Sequence, residues 1–86
     1  MLKEMDKKII DLNELPLNTK GYIERVECEE DIKRRLLDLG LVKGAEIKPV
    51  LVSVSKDPRA FEIRGSLIAI RKENAKGICV SYYAKI

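Results

Sequence analysis

Histidine and tryptophan are missing from this 86-residue chain, which holds two cysteines, one phenylalanine and three tyrosines. Without an imidazole, no serine or cysteine nucleophile can be given a histidine base, and no histidine-containing zinc set can be assembled. Cys28 and Cys79 are far apart in sequence and form no CxxC, so a zinc module is excluded and both are expected as reduced thiols. Cys79 falls in an apolar strand pattern, where a small buried hydrophobe is the usual occupant. A P-loop, a catalytic carboxylate pair and a nucleophile beside a base are also lacking, so the expectation is a protein that is not an enzyme, with no cofactor and no residue assigned as a metal ligand. No apolar run approaches the roughly 18 residues of a spanning helix. Met1-Leu2-Lys3-Glu4-Met5-Asp6 has acids where a signal peptide would be basic and then apolar, and a cytoplasmic location is expected. Single-sign charge is scarce too: the formal net charge of +3 is too small to imply nucleic acid by itself.

What the chain does have is aliphatic bulk, with 45% hydrophobic against 36% charged residues, enough for a folded domain rather than a disordered tail. At this length one small domain is expected, over residues 10–86, with 1–9 as a loosely held lead-in of alternating charge.

The stretch from Arg34 to Ile47 organises the rest. Ile32, Leu36 and Leu39 recur at i, i+4 and i+7, with Leu37 widening the stripe, which predicts a short helix with one buried face. Gly40 suits the left-handed position after the helix end, and Leu41 would then fold back on Leu36. Lys43-Gly44 reads as a turn into a strand from Glu46. Glu29, Glu30 and Asp31 precede the helix. They could bind a hard cation, but complementing the helix dipole and pairing Glu30 with Arg34 and Asp31 with Arg35 is the preferred reading. Lys33-Arg34-Arg35 reads as a solvated face rather than a phosphate grip, since it has no interleaved aromatics.

Around this stretch lie strands. Tyr22 to Val26 is a strand whose apolar positions do not alternate cleanly, which predicts a bulge. Ile47 to Val54 is a strand in which Pro49 requires an edge or bulge. Ser55 to Arg59 is a loop, Ala60 to Ile63 a strand, Arg64-Gly65 a turn, and Ser66 to Arg71 a strand apolar on both faces, Leu67 with Ala69 and Ile68 with Ile70. Such a strand is expected to be covered twice. Lys72 to Ala75 makes one helical turn, and Ile78, Val80 and Tyr82 then alternate inward, with Cys79, Ser81 and Tyr83 opposite.

The expected fold is mainly β, a small SH3-like barrel of five or six strands with one inserted helix and a one-turn helix before the last strand. Here the sequence resembles the FeoA family. The resemblance runs through Leu12, Leu15, Gly21, Ile23 and Val26, through Arg35-Leu36-Leu37-Asp38-Leu39-Gly40-Leu41 with Gly44, and through Asp57-Pro58, Arg64-Gly65, Ile68-Ala69-Ile70-Arg71, Ala75, Ile78 and Val80. It implies a cytoplasmic accessory protein of bacterial ferrous iron uptake that binds FeoB, the membrane permease with a GTPase domain. The expected contact surface is an apolar patch of Leu39, Leu41 and Val42 bordered by Arg35, with Leu36 and Leu39 leaning to the core and Leu41 balanced between core and surface. Two other classes stay open. One is the SH3-like module of a metal-dependent transcription regulator. The other is a nucleic-acid-binding barrel using Lys33, Arg34, Lys43, Lys48 and Lys56, a partner the sequence disfavours. Homo-oligomerisation is compatible with the two-faced strand and the late tyrosines.

Overall fold

The computed structural model describes residues 5–51 and 57–85. Six strands form one sheet in the order β1-β6-β2-β3-β4-β5, every neighbouring pair antiparallel. They are β1 (Met5–Asp11), β2 (Gly21–Val26), β3 (Glu46–Val50), β4 (Arg59–Ile63), β5 (Ser66–Ile70) and β6 (Ile78–Lys85). A 3-10 turn at Leu12–Glu14 follows β1, helix α1 (Glu30–Asp38) lies between β2 and β3, and the single turn α2 (Lys72–Ala75) precedes β6. This is the expected small barrel with its inserted helix and its one-turn helix.

The lead-in is the first difference from expectation. Met5–Asp11 is a strand paired along its whole length with β6, from Met5 opposite Lys85 to Asp11 opposite Cys79. Alternating charge conceals such a strand in the sequence, because Lys7 and Lys8 leave both faces partly polar. The bulge predicted in β2 is present: the register against β6 shifts between Ile23 and Arg25. It lets both Ile23 and Val26 turn inward, where they are buried.

Pro49 sits where it does no harm to the sheet. The β2–β3 ladder covers only Gly21 with Ile47 and Tyr22 with Glu46, so Pro49 lies past its end, and its carbonyl accepts from the Asn18 N–H at 2.8 Å. Asn18 itself is left-handed, with φ 61°. The expected continuation of this strand through Val54 lies partly outside the described residues, since β3 ends at Val50 and residues 52–56 are not described. Hairpin β4–β5 closes on Arg64-Gly65, both at positive φ, the geometry that matches a two-residue turn to strand twist.

Phe61, Leu12, Leu15, Ile23, Leu41, Ile47, Ile63, Ile78 and Val80 are all essentially inaccessible and make the core. Polar contacts fix what flanks it. Arg59 donates to the carbonyls of Asn13 at 3.1 Å and Leu15 at 2.7 Å while its guanidinium lies 5.7 Å from the centre of the Phe61 ring. Partial burial lowers its pKa from the ordinary arginine value. Asn13 in turn donates to the Lys72 carbonyl at 3.1 Å, and the Lys72 N–H donates to the Asp57 carboxylate at 2.9 Å. The 3-10 turn, β4 and α2 are thus tied into one corner. On the outer face of the sheet, Ser81 is 2% exposed although its alternation places it away from the core. Its hydroxyl bonds the Glu24 carboxylate and, with Lys7 and Lys43, holds that carboxyl below its usual range.

The strand expected to need two covers has one. Ile70 is buried and Ile68 half-buried, but Leu67 is 57% exposed and Ala69 is exposed as well. β5 ends the sheet, and nothing among the described residues covers its second face completely.

Candidate functional site

The end of α1 is built by the backbone in the way its sequence predicts. Gly40 has φ 106°, its N–H donates to the Leu37 carbonyl at 3.0 Å, and the Leu41 N–H reaches back to the Leu36 carbonyl, also at 3.0 Å. These are the paired bonds of a Schellman motif. The chain then turns again: the Val42 N–H donates to Gly40 at 2.8 Å and the Ala45 N–H to Val42 at 2.9 Å. Glu30 and Asp31 in the first turn and Arg35 in the last complement the helix dipole. The expected ion pairs do not close. Among the described residues no carboxylate oxygen of Glu30 or Asp31 lies within salt-bridge distance of Arg34 or Arg35, whereas Lys7–Glu24 and Arg25–Glu27 do pair.

This geometry sorts the expected contact residues. Leu41 is fully buried, so its inclusion in a surface patch is corrected: the bond from its N–H to Leu36 turns its side chain into the core beside Leu36. Leu39 is 47% exposed, which corrects the expectation that it belongs to the core. The reason is that nine helical residues bury one narrow face, with Ile32 half-buried and Leu36 buried, and the stripe runs out before Leu39. Val42 is 37% exposed and Leu37 41% exposed. Arg35 is exposed.

A cavity of about 230 Å³ opens beside the helix end, floored by Ile32, Leu36 and Ile70, walled by Leu39 and Ala69, and rimmed by Arg35, Arg71 and Asn74. The structure therefore brings Arg35 and Leu39 together, leaves Val42 on the neighbouring corner and withdraws Leu41. Ala69, Arg71 and Asn74 were not foreseen as part of this surface. The doubly apolar pattern of β5 was the available signal for Ala69, because a second face without a cover has to meet something.

A second, more polar hollow of about 420 Å³ shares Ile32 and Asn74 with the first and is lined further by Glu27, Cys28, Glu29, Glu73 and Lys76. Cys28 and Cys79 are both free thiols. Burial is the main cause of a raised Cys28 pKa, with Lys33 opposing and Glu29 and Glu30 reinforcing. The acids here do not converge: among the described residues no group of three or more Asp, Glu and Cys side chains could hold a metal ion. Nor is any described helix long and apolar enough to cross a membrane. Chemically, the arrangement offers an apolar depression with guanidinium groups on its rim, which suits the docking of a protein segment.

Comparison with known proteins gives a consistent picture. The model of the FeoA domain matches residues 10–82. A Campylobacter jejuni protein provisionally named Fe(2+) transport protein A is 30% identical over 70 residues, which cover 81% of this chain and 95% of that one. Among solved structures, the FeoA protein of Chlorobium tepidum superposes with a TM-score of 0.79 at 34% identity, covering 85% of this chain and 70% of that chain. The zinc-complexed FeoA of Stenotrophomonas maltophilia, described as a prokaryotic SH3 domain protein, superposes with a TM-score of 0.71 at 33% identity, covering 83% and 88%.

Proposed function

This chain belongs to the FeoA family, and from that premise we propose that it is a small cytoplasmic accessory protein of bacterial ferrous iron uptake that acts by binding the cytoplasmic part of FeoB, the membrane permease with a GTPase domain. The observation that carries the contact surface is the cluster of exposed apolar side chains around one rigid helix end: Leu37 at 41%, Leu39 at 47% and Val42 at 37%. Arg35 borders them, and the 230 Å³ depression between α1 and β5 lies alongside. An apolar centre with a basic rim is the anatomy of a surface that gains from being covered by another protein. The reading as a binding module rather than a catalyst is supported by the absence of histidine from the sequence, which leaves no imidazole base for a nucleophile.

The test uses the detergent-solubilised permease and purified variants. Leu39→Asp and Val42→Asp each place a charge at the centre of the contact and are expected to weaken binding by about tenfold or more, with the circular dichroism spectrum unchanged. Equal affinity for the parent chain and both variants would remove this surface from the proposal, and absence of any binding by the parent would remove the partner.

A further inference from the structure

We infer that this chain forms a symmetric dimer through the free edge of β1, with Ile9 of each copy on the two-fold axis. Strand β1 ends the sheet, and among the described residues no strand pairs with its outer side along Met5–Asp11. The segment matched by the family model begins at residue 10, inside this strand. Ile9, the last exposed residue of this strand before the half-buried Ile10 and Asp11, is 62% exposed and is the large aliphatic side chain that pairing of this edge would cover.

Charge complementarity chooses the occupant. Directly opposed residues of an antiparallel pair share a face, so the pairing of Lys7 with Tyr83, Ile9 with Ser81 and Asp11 with Cys79 puts Lys7, Ile9 and Asp11 on one side of the sheet. A two-fold axis perpendicular to the sheet keeps that side outward in both copies. Centred on Ile9, it sets Lys7 opposite Asp11 of the second copy, twice, and Ile9 opposite Ile9. Centred on Lys8, it sets two ammonium groups opposite each other, which is destabilising. Only the first register meets both the apolar and the ionic requirement. Lys7 already lies 3.7 Å from Glu24, and Asp11 already accepts from the Asn13 N–H at 2.8 Å. An ammonium has three donors and a carboxylate two oxygens, so both retain capacity for the partner. The opposite edge, β5, has no charged residue in Ser66–Ile70 and lies against the α1 depression, so it lacks the self-complementary pattern.

A single strand-to-strand contact of this length is small, so a weak dimer is expected, with a dissociation constant on the order of 100 µM. Sedimentation equilibrium of the full chain up to about 1 mM tests it. Ile9→Lys should raise the dissociation constant about tenfold or more without altering the circular dichroism spectrum. The decisive arm is a charge exchange. Lys7→Glu and Asp11→Lys each put like charges opposite each other in their own homodimers and should be monomeric alone, yet an equimolar mixture restores both ion pairs and should dimerise. A parent chain that stays monomeric, a dimer indifferent to all three substitutions, or a mixture no more associated than its components would overturn the inference.

Discussion

Replacing Leu41 by alanine separates the two roles that its position at the helix end could have had. Its side chain is fully buried and belongs to the cluster containing Leu36, Ile63 and Phe61. Removing three carbons from such a site costs both transfer free energy and an incompletely filled cavity, about 3 kcal/mol. A domain of 86 residues has a total stability of roughly 4–13 kcal/mol, so this is a large share of it. With a urea slope of about 1 kcal/mol/M for a protein this small, the unfolding midpoint should fall by about 3 M. Leu39→Ala, at a site 47% exposed, should cost less than about 1 kcal/mol and move the midpoint by less than about 1 M. Paired urea titrations followed by far-ultraviolet circular dichroism make the comparison directly. Equal shifts for the two variants would refute the inward placement of Leu41 and, with it, the reason for leaving it out of the contact surface.

Two further perturbations probe the region beside α1. A Cβ on Gly77 would overlap the carbonyl oxygen of Glu27, and the backbone there is held by the Glu27 N–H donating to the Gly77 carbonyl at 2.7 Å, so Gly77→Ala should cost about 4 kcal/mol or more, read as a collapse of the melting temperature; a near-parental melt would show that the β2–α2 approach is looser than this bond implies. Cys28 gives a pH signature. Burial raises its pKa above the ordinary 9.0, so between the ordinary and the raised value the folded chain keeps a proton that the unfolded chain releases, and stability falls as pH rises through that window. Urea midpoints from pH 7 to about 10 should decline less steeply in Cys28→Ala than in the parent, and identical slopes would refute the shift.

Much of the fold was legible because local chemistry and periodicity agreed. The Schellman end of α1 could be read from Leu36, Gly40 and Leu41 together, and the β2 bulge from the failed alternation of Tyr22, Ile23 and Val26. The turn at Arg64-Gly65 and the extent of α2 were equally plain. β1 was not, because an edge strand whose faces carry Lys7, Lys8 and Asp11 has no apolar alternation to betray it, and only pairing with β6 defines it. The candidate site was legible in part. Its helix-end residues were named, but periodicity fixes only which residues share a helix face and not how far the core extends along it, so Leu39, which leaned to the core, is exposed as a patch residue must be, and Leu41, balanced between core and surface, is buried. The contributions of Ala69, Arg71 and Asn74 depend on β5 and α2 arriving beside α1, a matter of tertiary packing.

The same backbone bonds that bury Leu41 also determine how well its neighbours can serve as a contact surface. Association loses free energy wherever a loop or a flexible side chain must be ordered, about 0.5–1.5 kcal/mol for each immobilised side chain, with backbone ordering in addition. Here the backbone is already fixed from Leu36 to Ala45 by the two Schellman bonds and by the bonds from Val42 to Gly40 and from Ala45 to Val42. Leu36 and Leu41, buried below, anchor that segment to the barrel, so Leu39 and Val42 stand on a preformed support. A partner that covers them restricts only their side-chain rotations and removes their apolar area from water, which favours binding. Gly40 is the point where this arrangement is most exposed to substitution. At φ 106° any other residue is strained, and a Cβ there would also come within 3.3 Å of Ile63. Loosening that turn would release Leu41 from the core and Leu39 from its position together, coupling stability to the proposed docking through the one residue Gly40.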